Sequence, residues 1–255
     1  TSATCSSGNI SNLNFGISNV QSWFQSVCGS VRDDDGLNNP IPAAASCTAP
    51  DGPYAITTNS TCSAPGVVYG GNSYNLNGQQ ASTANYIVGG ATYPDEYTTS
   101  GTGIIRTSYD YMYTSSKQAG LTMTNLQSIC TGGVLNKKTG GPGCSIVASP
   151  ASGIYYANDD VDLNAYTFPS NKNYVFLING KLEVYGKVAL NSGATFTASV
   201  KDNITIDKNL GTTGTSTLSS MEGFYSTDKS FIVETSGSCP DLRLNIVGAI
   251  VVNAG

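Results

Sequence analysis

Apolar residues in the second part of this chain fall into short alternating runs, and the runs repeat. Five can be laid under one another: GIYYA at 153, NYVFLI at 173, ATFTASV at 194, EGFYST at 222 and DLRLNIVG at 241. A second set follows the first: DVDL at 160, GKLEV at 180, DNITI at 202, KSFIV at 229 and GAIVV at 248. Both sets advance in steps of about twenty residues, within the range of solenoid repeats. One step is longer, and the segment NLGTTGTSTLSS at 209–220 accounts for it as an insertion.

Matched spacing in two sets has a physical meaning. The i, i+2 pairs Val161/Leu163, Leu182/Val184, Ile204/Ile206, Phe231/Val233 and Ile250/Val252 each point to one side of a strand. One turn cannot bury such a pair alone, but stacked turns make continuous internal columns. The pattern predicts a right-handed parallel β-solenoid of about five turns over residues 151–255. Glycine and asparagine supply the corners, and the repeated G-K-φ-x-φ hexads at Gly180 and Gly186 mark one strand turning into the next. An antiparallel sandwich also yields alternating strands, but it leaves the doubled spacing unexplained.

Outward positions refine the picture. Asp162, Glu183, Thr205 and Ile232 form one outward column, and Val251 occupies the same place in the final turn. YVFLI at 174–178 is apolar on both faces, so something covers it from outside. The chain runs out at GAIVVNAG without a polar or proline-rich cap. The expected assembly edge is therefore Ile232, Ile250, Val251 and Val252, since an uncharged open strand is a template for pairing.

Residues 1–150 read differently, as an irregular, cysteine-rich α+β region packed on the solenoid. Ile10, Leu13, Ile17, Val20, Phe24 and Val27 make a helical stripe, with a strand starting near Trp23 as the competing reading. SYDYMYTSSKQAG at 108–120 predicts a helix ended by Gly120, and Thr124 reads as the N-cap of another. PGVVYGG at 65–71 and ANYIVGG at 84–90 predict short strands stopped by glycine pairs.

Composition narrows the chemistry. The 255 residues contain no histidine, which removes imidazole-based triads and histidine-ligated metals. Only 11% are charged, with a net charge of −5 and 12 basic residues spread singly, so a nucleic-acid surface is excluded. The seven cysteines include no C-x-x-C pair and imply disulfides of an exported protein. Cys5, Cys28, Cys47, Cys62, Cys130 and Cys144 are the bridge candidates, and Cys239 is the free or intersubunit thiol. Residue 1 is not Met, so an export signal is expected to have been removed, and the longest apolar run, at 244–252, is too short to span a bilayer.

Several of these stretches together carry a resemblance. WFQSVCGSV (23–31), PGVVYGG (65–71), SYDYMY (108–113), NYVFLINGKLEVYGKVAL (173–190), MEGFYSTDKSF (221–231) and DLRLNIVGAIVV (241–252) resemble secreted and cell-surface proteins of ultra-small candidate-phylum bacteria. The resemblance covers most of the chain from about residue 20, through strand and turn patterns. It implies an extracellular or surface setting and a C-terminal parallel β-solenoid, and assigns no activity.

Candidate chemical groups are few. Asp159, Asp160 and Asp162 at a corner are a weak calcium candidate, and no cofactor is otherwise expected. The acidic run Asp33–Asp35 does not fit an EF-hand frame and reads as a solvated turn. Asp162 and Glu183, one turn apart, are the only stacked carboxylates, at about the separation of a retaining glycosidase pair. Tyr109, Tyr111 and Tyr113, and Tyr155 and Tyr156, suit either packing or glycan stacking. Asn9, Asn59 and Asn203 sit in N-x-S/T sequons. The expectation is an extracellular, non-enzymatic structural subunit that polymerises with itself by end-stacking into a filament, sheath or layer. The alternatives are an adhesin that binds glycans and, further off, a polysaccharide lyase or hydrolase.

Overall fold

The computed structural model describes residues 106–138, 140–212, 218–234 and 243–253, together with 24–27, 31–33, 37–39, 56–57, 67–70, 74–75 and 86–89. In chain order the first elements are β1 (Phe24–Val27), β2 (Val31–Asp33), β3 (Leu37–Asn38), β4 (Ile56–Thr57), β5 (Val67–Gly70), β6 (Tyr74–Asn75) and β7 (Tyr86–Gly89). Helix α1 (Tyr109–Gln118) follows, then β8 (Met123–Asn125) and two 3-10 turns, Leu126–Ile129 and Thr131–Gly133. The repeat supplies β9 (Gly153–Ala157), β10 (Val161–Leu163), β11 (Tyr166–Phe168), β12 (Asn173–Ile178), β13 (Leu182–Val184) and β14 (Val188–Leu190). It continues as β15 (Thr195–Val200), β16 (Ile204–Ile206), β17 (Met221–Thr227), β18 (Phe231–Val233) and β19 (Leu244–Val252).

These strands coil into a parallel β-solenoid. The long face has the order β7-β5-β2-β19-β17-β15-β12-β9-β8, the second face is β10-β13-β16-β18, and β11 with β14 forms a third. The expected inward pairs line the core: Val161, Leu163, Leu182, Val184, Ile204 and Ile206 are all 0% exposed. Each such side chain contributes roughly 1.5–3 kcal/mol on burial. Between them runs an aromatic spine, with ring centroids 4.6 Å apart for Phe168–Phe196 and 5.0 Å for Phe176–Phe196.

Helix α1 forms where the sequence places it. Ser108 is extended and its side chain accepts from Tyr111 N, Asp110 lies in the first turn, Lys117 in the last, and Gly120 leaves with φ +68. The helix is about 15 Å long, enough to cross about three strands at 4.8 Å. It packs on β12 and β15, and Leu177 beneath it is fully buried. The outside cover expected for YVFLI is thereby found.

The helix expected from Thr124 is reduced to a 3-10 turn. Asn125, not Thr124, caps it by accepting from Gln127 N, while Met123–Asn125 pairs with β9 as a strand. Leu126, Ile129, Leu135 and Ile146 close this end of the core. The Cys130–Cys144 disulfide staples the closure, and Cys144 N donates to Asp162 O at 2.7 Å. The other disulfide candidates, Cys5, Cys28, Cys47 and Cys62, and the thiol candidate Cys239, lie outside the described residues.

Three expectations change. Of the stripe from Ile10 to Val27, only 24–27 is described, and it is the strand β1. GAIVV at 248 does not begin a second-face rung, because it continues β19, where Ile250 and Val252 register with Tyr225 and Thr227. Gly248 (φ +140) lies against Gly223 (φ +126), and a Cβ on Gly248 would fall 1.9 Å from Gly223 O. The pair permits a close approach of two straight strands, where the sequence reading placed a corner.

The largest correction concerns the expected open edge. β19 is an interior strand: Leu244–Val247 pair with Phe24–Val27 of β1, and Ile250, Val251 and Val252 pair with Val31, Arg32 and Asp33 of β2. Strands from both sides of residue 150 therefore share the long face. The chain winds one arm from β1 to β7, α1 runs along the flank, and a second arm from β8 returns to meet the first at β19. Of the proposed edge, Ile232 is outward at 41% exposed, while Val251 is outward but lies within the paired long face.

Candidate functional site

The long face is divided by what covers it. One outward column, Tyr156, Leu177, Ser199, Ser226 and Val251, lies in register across β9 to β19. The segment entering α1 fastens onto it. Ser199 Oγ and Ser226 Oγ donate to Thr107 O at 3.0 and 2.8 Å, and Thr107 Oγ1 donates to Asn253 Oδ1 at 2.7 Å. Asp228 completes the clamp, accepting from Tyr109 N and from Asn253 Nδ2, both at 3.0 Å. Burial holds the Asp228 carboxyl above the usual range against these two donors.

Among the described residues, no helix lies over the next columns. Ile154, Val175, Thr197, Phe224 and Ala249 stand in register and are half-buried, and beside them Asn173, Thr195 and Val247 are exposed. Neighbouring residues in a column repeat at about 4.8 Å, and positions i and i+2 along a parallel strand at about 6.6 Å. The groups presented are methyls, hydroxyls, one amide and the ring of Phe224. Asn173 Oδ1 accepts from Thr195 Oγ1 at 2.8 Å, so these two are already fixed in place. Glu222 is the one charged side chain among these positions, and its oxygens accept from Leu190 N and Ser219 Oγ.

Charge is concentrated at the corner between the long and second faces. Lys201 pairs with Asp110 and Lys229 with Asp202, each at 3.1 Å, and Lys138 pairs with Asp160. Burial pushes the Asp160 carboxyl up, but the Lys138 ammonium and the Lys181 N–H outweigh it and hold it below the usual value. Asp202 is likewise desolvated, and Lys229 and the Asn203 N–H bring it below the usual range.

The predicted acidic site is thus differently employed. Asp159 accepts from Asn136 Nδ2, Asp160 from Lys138 Nζ and Lys181 N, and Asp162 from Lys137 N. These carboxylates tie down residues 136–138, inside the loop closed by the Cys130–Cys144 disulfide, and each is engaged by a different donor set. Among the described residues no cluster of three or more acidic or cysteine side chains is arranged to hold a metal. Asp162 and Glu183 are in register as expected, but Asp162 is only 6% exposed and lies beneath Lys137, whose Nζ sits 3.1 Å over the Tyr185 ring. Asp33 lies in β2, while Asp34 and Asp35 are outside the described residues.

The tyrosines pack. Tyr109 stacks on Tyr113 at 5.5 Å, and Tyr155 meets Phe176 edge-on at 5.9 Å inside the core. Asn203 accepts from Ser230 N at a corner, and Asn9 and Asn59 are not among the described residues. Sequence reading missed the Thr107–Asp228–Asn253 clamp and the uncovered strip. The strip had a signal in the outward positions of the first repeat set.

No family model matches the chain, and no curated protein does. Two solved structures are similar over most of their length. A domain of ice-binding protein 1 from Shewanella frigidimarina shares 11% identity at a TM-score of 0.36, covering 90% of this chain and 93% of its own. An ice-binding protein from an Antarctic biological consortium shares 12% identity at a TM-score of 0.31, covering 99% of this chain and 93% of its own.

Proposed function

We propose that the chain is an extracellular, non-enzymatic β-solenoid that attaches to an ordered, electrically neutral surface through the uncovered strip of the long face, and that this surface is ice. The carrying observation is the two-dimensional regularity of Val175, Thr195, Thr197, Phe224, Val247 and Ala249 on a sheet already fixed by its ladders. A pre-formed surface loses little freedom on contact, so many weak contacts can add. With Glu222 tied down, the strip offers no free charge that contact would have to desolvate. A polyanion would need cations there, and a glycan platform would need more stacking rings than Phe224 alone.

Ice is taken from the names of the two solved structures above, and what supports it here is the strip alone. An end-stacking filament subunit, by contrast, has lost its motivating edge, because β19 is paired on both sides. The test is partition of the purified protein into slowly growing ice. Wild type should be incorporated, and Thr197→Lys should lower incorporation roughly ten-fold by bringing an unpaired charge to the contact. Thr205→Lys, on the second face, should leave it unchanged. Exclusion of wild type from the ice, or full incorporation of Thr197→Lys, overturns the reading.

A further inference from the structure

The corner between the third and long faces is built differently from β17 onward. Val188 in β14 and Thr197 in β15 lie nine positions apart, whereas their partners in β17, Met221 and Phe224, lie three apart. The next coil keeps the short interval, from Ile246 to Ala249. After the insertion at 209–220 the chain therefore cuts this corner, and β17 leaves β14 after a single register pair, Val188 with Met221. β11, by contrast, pairs with β14 over three residues.

Cutting the corner takes the strand partner from one donor of β14. Val188 N donates forward to Ser220 O at 3.2 Å, and Asn191 N donates backward to Phe168 O at 3.0 Å. Alternate residues of a parallel strand face opposite neighbours, so Leu190 N points the same way as Val188 N. Among the described residues no strand pairs with Leu190 on that side, and Glu222 takes the place of one: its Oε2 accepts from Leu190 N at 2.7 Å. The other oxygen, Oε1, accepts from Ser219 Oγ. Ser219 is fixed by its neighbours, because Ser220 N donates to Asn245 O at 2.7 Å and Asn245 Nδ2 to Leu218 O at 3.2 Å. Without these two donors the carboxylate would stand on the uncovered strip. Glu222 is in register with Val247, which is 39% exposed, and precedes Phe224 by two positions.

We infer that Ser219 is a positioning residue of the strip. Its hydroxyl, together with the Leu190 N–H, holds the Glu222 carboxylate back over the cut corner, so the strip meets a neutral surface without presenting a charge. A hydroxyl suits this task because it donates to the carboxylate and brings no charge of its own. The inference rests on the proposed attachment of the strip to ice, whereas the Leu190 amide reads the tether in the absence of ice.

The test combines partition into ice with amide hydrogen exchange. Ser219→Ala should lower incorporation about ten-fold, the low end of what a hydrogen bond to a charged group is worth. It should also speed exchange at Leu190, as loss of a local hydrogen bond does. Ser219→Thr keeps the hydroxyl and should preserve both readings. Adding Glu222→Gln to Ser219→Ala removes the charge and should restore most of the incorporation, which it could not do if the alanine had merely disordered the corner. Exclusion of wild type from ice overturns the ice reading and the contact role together. With wild type incorporated, three results overturn this inference alone: equal incorporation of Ser219→Ala, an unchanged Leu190 amide, or a loss that Glu222→Gln does not relieve.

Discussion

Arg243 donates from Nη1 to Oε1 of Gln25 at 2.9 Å, across 218 positions of sequence. Both side chains are buried, and they sit where β1 lies against β19. Replacing Gln25 with Leu removes the acceptor and leaves part of a guanidinium without it in a dry seam. The expected loss is about 2 kcal/mol, the usual scale for a hydrogen bond to a charged group. Urea unfolding measures it, and an unchanged midpoint would show that the seam does not depend on this contact.

Two glycine substitutions should separate close approach from conformational preference. Gly248→Ala meets Gly223 O at 1.9 Å, whereas a Cβ on Gly133 (φ +69) meets nothing within 4 Å. The second change costs about 1 kcal/mol, for left-handed backbone alone. The first must also push two strands apart at the seam and should cost more than about 3 kcal/mol. Equal losses in thermal unfolding would refute the close packing of the two glycines.

Reduction should act at one end of the molecule. The Cys130–Cys144 bridge closes a loop of sequence separation 14, and such a loop is worth about 3 kcal/mol in the chain-entropy account. The double Cys→Ser variant should lose about that much stability. Amides of 126–146 should exchange faster than those of β17 and β19. Uniform acceleration along the chain would contradict a local staple.

Acid should loosen the charged corner. The Asp160 and Asp202 carboxyls lie below the ordinary value of 3.8 in the folded protein, so their contribution is present above that pH. It is lost as pH falls through the lower folded values, because the unfolded chain there binds protons more readily. Asp228 is shifted upward, so its protonation on acidification favours the folded state and partly offsets the loss. Asp160→Asn should flatten the fall in stability below pH 3.8 relative to wild type, as read by thermal unfolding against pH. An unaltered slope would remove Asp160 from the account.

What the sequence made legible was local and periodic. Leu182, Val184, Ile204 and Ile206 alternate with polar neighbours and recur, so the columns they fill could be read before any coordinates. Gly180 and Gly186 marked true corners. Gly248 carries the same letter and marks none, since its role depends on Gly223 one strand away. The pairing of β1 and β2 with β19 left no local trace, and residues 10–27 even carried a helix-like stripe. The clamp was hidden for the same reason, as Asp228 and Tyr109 meet across 119 positions.

The meeting of the two arms at β19 also constrains kinetics. Solenoids that run from one end to the other fold by adding coils to neighbours, mostly through contacts between nearby residues. Here the middle of the stack is assembled from chain segments more than 200 positions apart. Closing so large a loop has to be offset by the last strand at a single step. Each arm can form its own coils early, while insertion of Leu244–Val252 between them sets the overall rate. A slow final phase, sensitive to substitution at Gly248 and indifferent to substitution in β10, is the signature of that order of events.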